Sequence, residues 1–229
     1  MVTSSYFTPA TFSFLSELAA NNSREWFERN KARYQNDVKD PALRFITDFG
    51  PHLKKVSSHF RADPRPVGGS LFRIHRDVRF SKDKSPYKTH TGIHFRHFES
   101  KSAHAPGFYL HIAPKEVFVG VGIWHPDGPT LEKIRARVAE EPAEWKKVTK
   151  GKAFKSRFEL AGDSLSRPPK GFDVDHPLIE DLKRKDYIGV AQLDERDLTS
   201  AAFLKDFAAL CRAGGPLNSF LCGALGIPY

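Results

Sequence analysis

Apolar positions recur at helical spacing towards both ends of this 229-residue chain and alternate in its middle. Thr8 can cap a first helix with Pro9 in its opening turn, and Phe12, Leu15, Leu18 and Ala19 give it an apolar face to about Ala20. Asn21-Asn22-Ser23 breaks that helix and recaps a second, in which Trp26, Phe27, Tyr34 and Val38 sit among charged residues. Pro41 starts a third, striped by Leu43, Ile46, Phe49, Leu53 and Val56, with a kink expected at Gly50-Pro51. Then the period falls to two. Leu71 to Phe80, Gly92 to Phe98, Gly107 to Ala113 and Glu116 to Trp124 are predicted strands, the last two joined by a tight turn at Pro114-Lys115. In the last of them Val117, Val119, Val121 and Ile123 form one face. Phe118, Gly120, Gly122 and Trp124 form the other, where two glycines leave room for a ligand, another backbone or a closely packed helix.

Helical spacing returns after the turn His125 to Pro129, through Leu131, Ile134 and Val138, and again from Pro142 through Trp145 and Val148. Residues 150–195 are less regular, with a short helix to about Lys183 and Tyr187 to Leu193 as a candidate further strand. Thr199 to Leu225 reads as two helices broken at Gly214-Gly215-Pro216. The whole pattern predicts an α+β fold in one domain, residues 1–229. Its mainly antiparallel sheet spans about residues 71–124, with helices from both ends packed around it.

Composition bounds the function only loosely. With 40% hydrophobic and 28% charged residues the chain is ordinary globular material, and 36 Lys and Arg against 27 Asp and Glu favour anionic partners. Cys211 and Cys222 lie in apolar helical context with no CxxC, which suits small buried hydrophobes in a reducing compartment. No signal-like opening and no membrane-length apolar run is present, so a cytoplasmic protein without a membrane partner is expected.

The charge is concentrated. Residues 71–101 hold eight Lys and Arg against three Asp and Glu, more than half of the net +9. Along FRIHRDVRFSKDKSPYK, alternation puts Phe72, Ile74, Val78 and Phe80 on a packing face, interrupted by Arg76, and Arg73, His75, Asp77 and Arg79 on a presenting face. Pro86 then braces a loop of about ten residues, longer than a usual hairpin connection. Arg73, Arg79, Lys82, Lys84 and Lys88 could surround a phosphate or carboxylate, with Tyr87 and His111 orienting it and His75 or Asp77 moving a proton. The same run also suits a solvated basic surface held by ion pairs to Asp77 and Asp83.

Seven of the ten histidines fall between His75 and His125. Without HExxH, HxH or a cysteine or carboxylate cluster at ligand spacing they predict no metal, although His75, His94 and His111 could converge across strands. Walker, GxGxxG and GxSxG motifs are absent, and no cofactor is implied. Gly162-Asp163-Ser164-Leu165 with Asp173 and His176 resembles the blocks of GDSL-type esterases. Their separation is far too short for that family, so they read as loop residues.

FRIHRDVRFSKDKSPYKTHTGIHFRH resembles the family catalogued as domain of unknown function 2461. FTPATFSFLSELAANNSREWFERNKARY, PGFYLHIAP, VGVGIWHPD and RPPKGFDVDHPLIEDLKRKDY extend the resemblance over nearly the full chain. It implies a compact cytosolic α+β protein and supplies no catalytic residues. Three functions stay open: an anionic, phosphate-bearing small molecule bound and processed at the basic site, nucleic acid bound by the same surface, or a protein–protein role without a small ligand. The last predicts that the presenting face is covered by a helix.

Overall fold

A computed structural model describes residues 5–99 and 105–229. The chain opens with α1 (Pro9–Ala20), then α2 (Arg24–Arg29), capped by Ser23, whose hydroxyl accepts the Trp26 N–H at 3.2 Å. After Asn30 the helical path resumes as α3 (Lys31–Tyr34). It passes through a π-helical turn at Gln35–Lys39 and continues as α4 (Asp40–Val56), within which Gly50-Pro51 is accommodated. The predicted second and third helices are thus joined without a break at Pro41. Three strands follow: β1 (Thr91–Arg96), β2 (Gly107–Ala113) and β3 (Glu116–Ile123). Lys115 takes the left-handed conformation (φ 64°) in the turn between the last two, the positive φ that the residue after the proline takes in a type II turn.

Beyond β3 lie α5 (Gly128–Glu140), α6 (Pro142–Lys150), α7 (Lys152–Lys155), β4 (Glu159–Ala161), α8 (Ile179–Leu182) and β5 (Tyr187–Leu193). The short α9 (Glu195–Leu198) then leads into α10 (Phe203–Leu225). The five strands form one antiparallel sheet in the order β1-β2-β3-β5-β4.

Two sequence expectations are corrected. Leu71 to Phe80 is not a ladder strand; it makes isolated bridges, Leu71 to Ile93 and His75 to Tyr87. And α10 is one helix, running through Gly214-Gly215-Pro216 to a left-handed Gly226. Packing explains that continuity. A Cβ on Gly214 would stand 2.8 Å from Val121 Cγ1, so the glycine lets the helix backbone settle directly on β3 instead of breaking it.

The core lies between the sheet and this helical layer. Phe45, Ile46, Phe49 and Leu53 on α4 and Phe203, Phe207 and Leu217 on α10 are buried against Phe95, Phe108, Leu110, Val119 and Val121. Phe49 sits 4.7 Å from Phe95 and 4.8 Å from Phe207, ring to ring. Among the described residues no helix is long and apolar enough to cross a membrane.

Candidate ligand-binding face

The basic stretch borders the free edge of β1. Phe72 N–H donates to Gly92 O at 2.9 Å and His94 N–H donates to Ser70 O at 2.8 Å. Two residues later the segment turns to a different partner: Lys88 N–H donates to Ile74 O (2.8 Å) and Arg76 N–H to Pro86 O (2.9 Å). The change of partner shifts the phase of alternation. Leu71 and Ile74 are both buried, Phe72 turns to the opposite side of the sheet, and Phe80, expected to pack, is 95% exposed at the hairpin tip.

At that tip the cations are mostly spoken for. Asp77 receives the Arg79 guanidinium at 2.7 Å, and this bonding pulls its pKa down to about 2. Asp83 accepts from the Ser85 hydroxyl and backbone and from Arg76, which together hold it well below the usual carboxylate range. Lys84 Nζ donates to Val78 O at 2.9 Å, and Lys82 is exposed. His75 lies against Tyr87 (5.3 Å) and Phe27 (6.4 Å). Tyr87 is a packing residue, stacked on Phe27 at 4.1 Å, with its backbone bracketed by the Asn22 side chain through bonds of 2.9 and 3.1 Å. The Asn21-Asn22-Ser23 break between α1 and α2 therefore anchors the hairpin base.

Arg73 and Lys88 differ from the other cations. Arg73 is exposed and its charge contributes to lowering Asp77, but among the described residues neither it nor Lys88 makes an ion pair with a carboxylate. Lys88 Nζ lies 5.4 Å from the centre of the Phe72 ring. Burial lowers its pKa, and the Arg73 charge adds to the effect.

Lys88 and Phe72 belong to the face of the sheet turned away from the helices. On β1 this face carries Gly92 and His94, on β2 Tyr109 and His111, on β3 Phe118 and Gly120, and on β5 Val190 and Gln192. The rings lean on one another. His111 stacks on Phe118 (4.6 Å, 6°), His90 lies 4.6 Å from His111, and Tyr109 lies 6.0 Å from Phe72. Tyr109 reaches over Gly92, where a Cβ would stand 2.5 Å from its hydroxyl oxygen, and that hydroxyl lies 3.1 Å from His111 Nδ1.

Burial drives the His111 pKa down to about 4, with His90 adding to the shift, and burial also lowers His90 itself. Both imidazoles are neutral at neutral pH, and burial raises the Tyr109 phenol well above its usual value. Glu116 is the acid nearest this group, 3.9 Å from His111 Nε2, beyond hydrogen-bonding distance.

Of the predicted site residues, Lys88 and His111 reach this face and Arg73 adjoins it. Arg79, Lys82, Lys84, His75, Asp77 and Tyr87 stay with the hairpin. His94 and His111 share a face, as cross-strand convergence required, and His75 does not join them. Tyr109 and His90 escaped sequence reasoning, whereas Phe118 lies on the strand face where two glycines were expected to leave room for a ligand. The alternation of Phe108, Leu110 and Ile112 is the signal that could have put Tyr109 and His111 on the other side; what single-strand patterning lacks is the register that sets them beside Gly92 and Phe118. Among the described residues no three His, Cys, Asp or Glu side chains are grouped to hold a metal. Cys211 and Cys222 are buried, and burial raises both thiols, Cys222 to about 12.

A family model described as "Conserved hypothetical protein (DUF2461)" matches residues 10–220. No curated protein and no solved structure matches the chain.

Proposed function

This chain belongs to the DUF2461 family of conserved hypothetical proteins, and we propose that it binds a small phosphate-bearing anion on the helix-free face of its sheet. Lys88 and Arg73 hold the charge, and Phe72, Tyr109 and Phe118 form the floor. The supporting observation is Lys88, a partly desolvated cation with no carboxylate beside it among the described residues. Such a group carries a desolvation cost that a bound anion relieves, and Arg73 adds donors suited to two oxygens at once. His111, neutral and contacted at Nδ1 by the Tyr109 hydroxyl, is the group positioned to exchange a proton with the bound molecule. Asp77, occupied by Arg79, is poorly suited to that role.

A second reading draws on the same face. Aromatic rings on an antiparallel sheet beside basic residues also suit single-stranded nucleic acid.

Calorimetric titration with pyrophosphate, nucleoside monophosphates and a short single-stranded oligonucleotide at several salt concentrations separates the two. Small-anion binding with a shallow salt dependence is expected, weakened at least about tenfold by Lys88→Ala, equivalent to roughly 1.4 kcal/mol. Lys82→Ala serves as the surface control and leaves it within about twofold. Tight oligonucleotide binding that falls steeply with salt selects the nucleic-acid reading. Equal losses in the two variants, or no small-anion binding, reject the first.

A further inference from the structure

A hollow of about 350 Å³ lies on the helical side of the molecule, where the end of α4 meets the middle of α10. Lys55 and Val56 of α4, Arg212, Pro216 and Ser219 of α10, and Tyr229 are among the residues that line it. The three from α10 follow one another at helical spacing along its exposed stripe. Tyr229 is fixed opposite them. Gly226 ends the helix in a left-handed turn, the Ile227 N–H donates to Cys222 O at 3.0 Å, and the Pro228 carbonyl lies 2.8 Å from Nε2 of the buried His97. The Tyr229 ring then meets Phe60 edge-on at 5.7 Å, and its hydroxyl rests above Gly215, where a Cβ would stand 2.4 Å from the oxygen.

Several groups here lack the partner that their chemistry calls for. Burial raises the Tyr229 phenol well above its usual pKa, yet its O–H makes no hydrogen bond among the described residues, where a desolvated tyrosine hydroxyl usually finds one. Lys55 and Arg212 are exposed, and among the described residues neither makes an ion pair with a carboxylate. Pro216 has no N–H to give to the Arg212 carbonyl one helical turn before it, so that carbonyl is without its regular helical donor. The hollow thus combines two cations and a phenol O–H as donors with a freed carbonyl as acceptor, beside apolar surface from Val56 and Pro216.

We propose that this hollow is a second binding site, separate from the anion face across the sheet, for a small 2-hydroxycarboxylate with an apolar substituent. Arg212 and Lys55 hold the carboxylate, and the Tyr229 hydroxyl donates to it. The Arg212 carbonyl accepts the hydrogen bond of the ligand hydroxyl, and the substituent lies along Val56 and Pro216. The donors select for a carboxylate, and the proline selects for the hydroxyl by leaving an acceptor open.

Calorimetric titration of the full chain with mandelate, and with phenylacetate, which lacks the hydroxyl, tests this site. Mandelate is expected to bind saturably and about fivefold more tightly than phenylacetate. Arg212→Ala, at an exposed position, should weaken both acids at least about tenfold, and Tyr229→Phe, which keeps the ring and removes the O–H, about fivefold. Lys82→Ala, which removes an exposed cation on the hairpin, should leave both within about twofold. Pro216→Ala, also at an exposed position, restores the missing N–H. It should bring mandelate down to the affinity of phenylacetate and leave phenylacetate unchanged. No saturable mandelate binding, equal losses in Arg212→Ala and Lys82→Ala, or a mandelate preference that survives Pro216→Ala overturns the proposal.

Discussion

Along β3, Val117, Val119, Val121 and Ile123 alternate with Phe118, Gly120 and Gly122, so one strand contributes to both faces of the sheet, and the two faces are built on different terms. The helix-covered face is aliphatic and phenyl, fitted to α4 and α10, and its volume is fixed by what packs on it. On the other face Tyr109, His111, His90 and Phe118 are desolvated in part by leaning on one another and by crossing a glycine. On the first face burial serves cohesion, and on the second it adjusts the protonation of imidazoles and a lysine. Phe95→Ala tests the first half of that contrast. It should cost about 3–5 kcal/mol in urea unfolding. Anion binding measured where the variant is still folded should be unchanged, and a matching loss of affinity would show that the two faces are not separable.

The open face should show itself in pH dependence. His111 has its pKa lowered from 6.5 to about 4 in the folded protein, so between those values the unfolded chain binds a proton that the folded chain refuses. Its contribution to stability is therefore complete above about pH 6.5 and drains away as pH falls towards 4, by a total on the order of 3 kcal/mol. His90, also lowered, acts with the same sign. Denaturant unfolding across this range should be markedly flatter in His111→Gln; an unchanged slope would mean that other groups carry the acid sensitivity.

Smaller again is the effect expected of Gly92→Ala. The new methyl meets the Tyr109 hydroxyl at 2.5 Å and Phe72 at 3.1 Å, so the tyrosine ring must shift from its place over the glycine. A destabilisation of about 1–2 kcal/mol is expected. Tyr109→Phe in the same background should recover part of it, since the nearest clashing atom is then gone.

Much of the sheet could be read from alternation: β2 and β5 begin and end where the pattern said, β3 stops one residue short, and β1 starts one residue early and ends two short, while the three-residue β4 is too short to show a pattern. The stretch from Leu71 was misread for a local reason. Its residues do alternate, but they exchange one pairing partner for another at Ile74, and a sequence records no partner. Gly214-Gly215-Pro216 looked like a break because helix propensity was weighed without Val121, whose side chain occupies the space that a Cβ would need. Charge density along the sequence does not say which cations are already paired. It led to the hairpin, where Asp77 and Asp83 neutralise Arg79 and Arg76, and only in the folded chain does Lys88 stand apart from its neighbours in sequence.

The smallest expected effect tests that last distinction. Arg79 and Asp77 are exposed at the hairpin tip, where solvent and salt screen an ion pair and holding two side chains together offsets much of its attraction. Arg79→Ala should therefore leave the melting temperature within measurement error and anion affinity within about twofold of wild type. Lys88, with less water around it and no carboxylate paired with it among the described residues, should respond quite differently, although it stands only nine positions further along the chain. A loss at Arg79 as large as that at Lys88 would return the binding site to the hairpin. Desolvation without a partner would then be no better a guide to it than the density of charge.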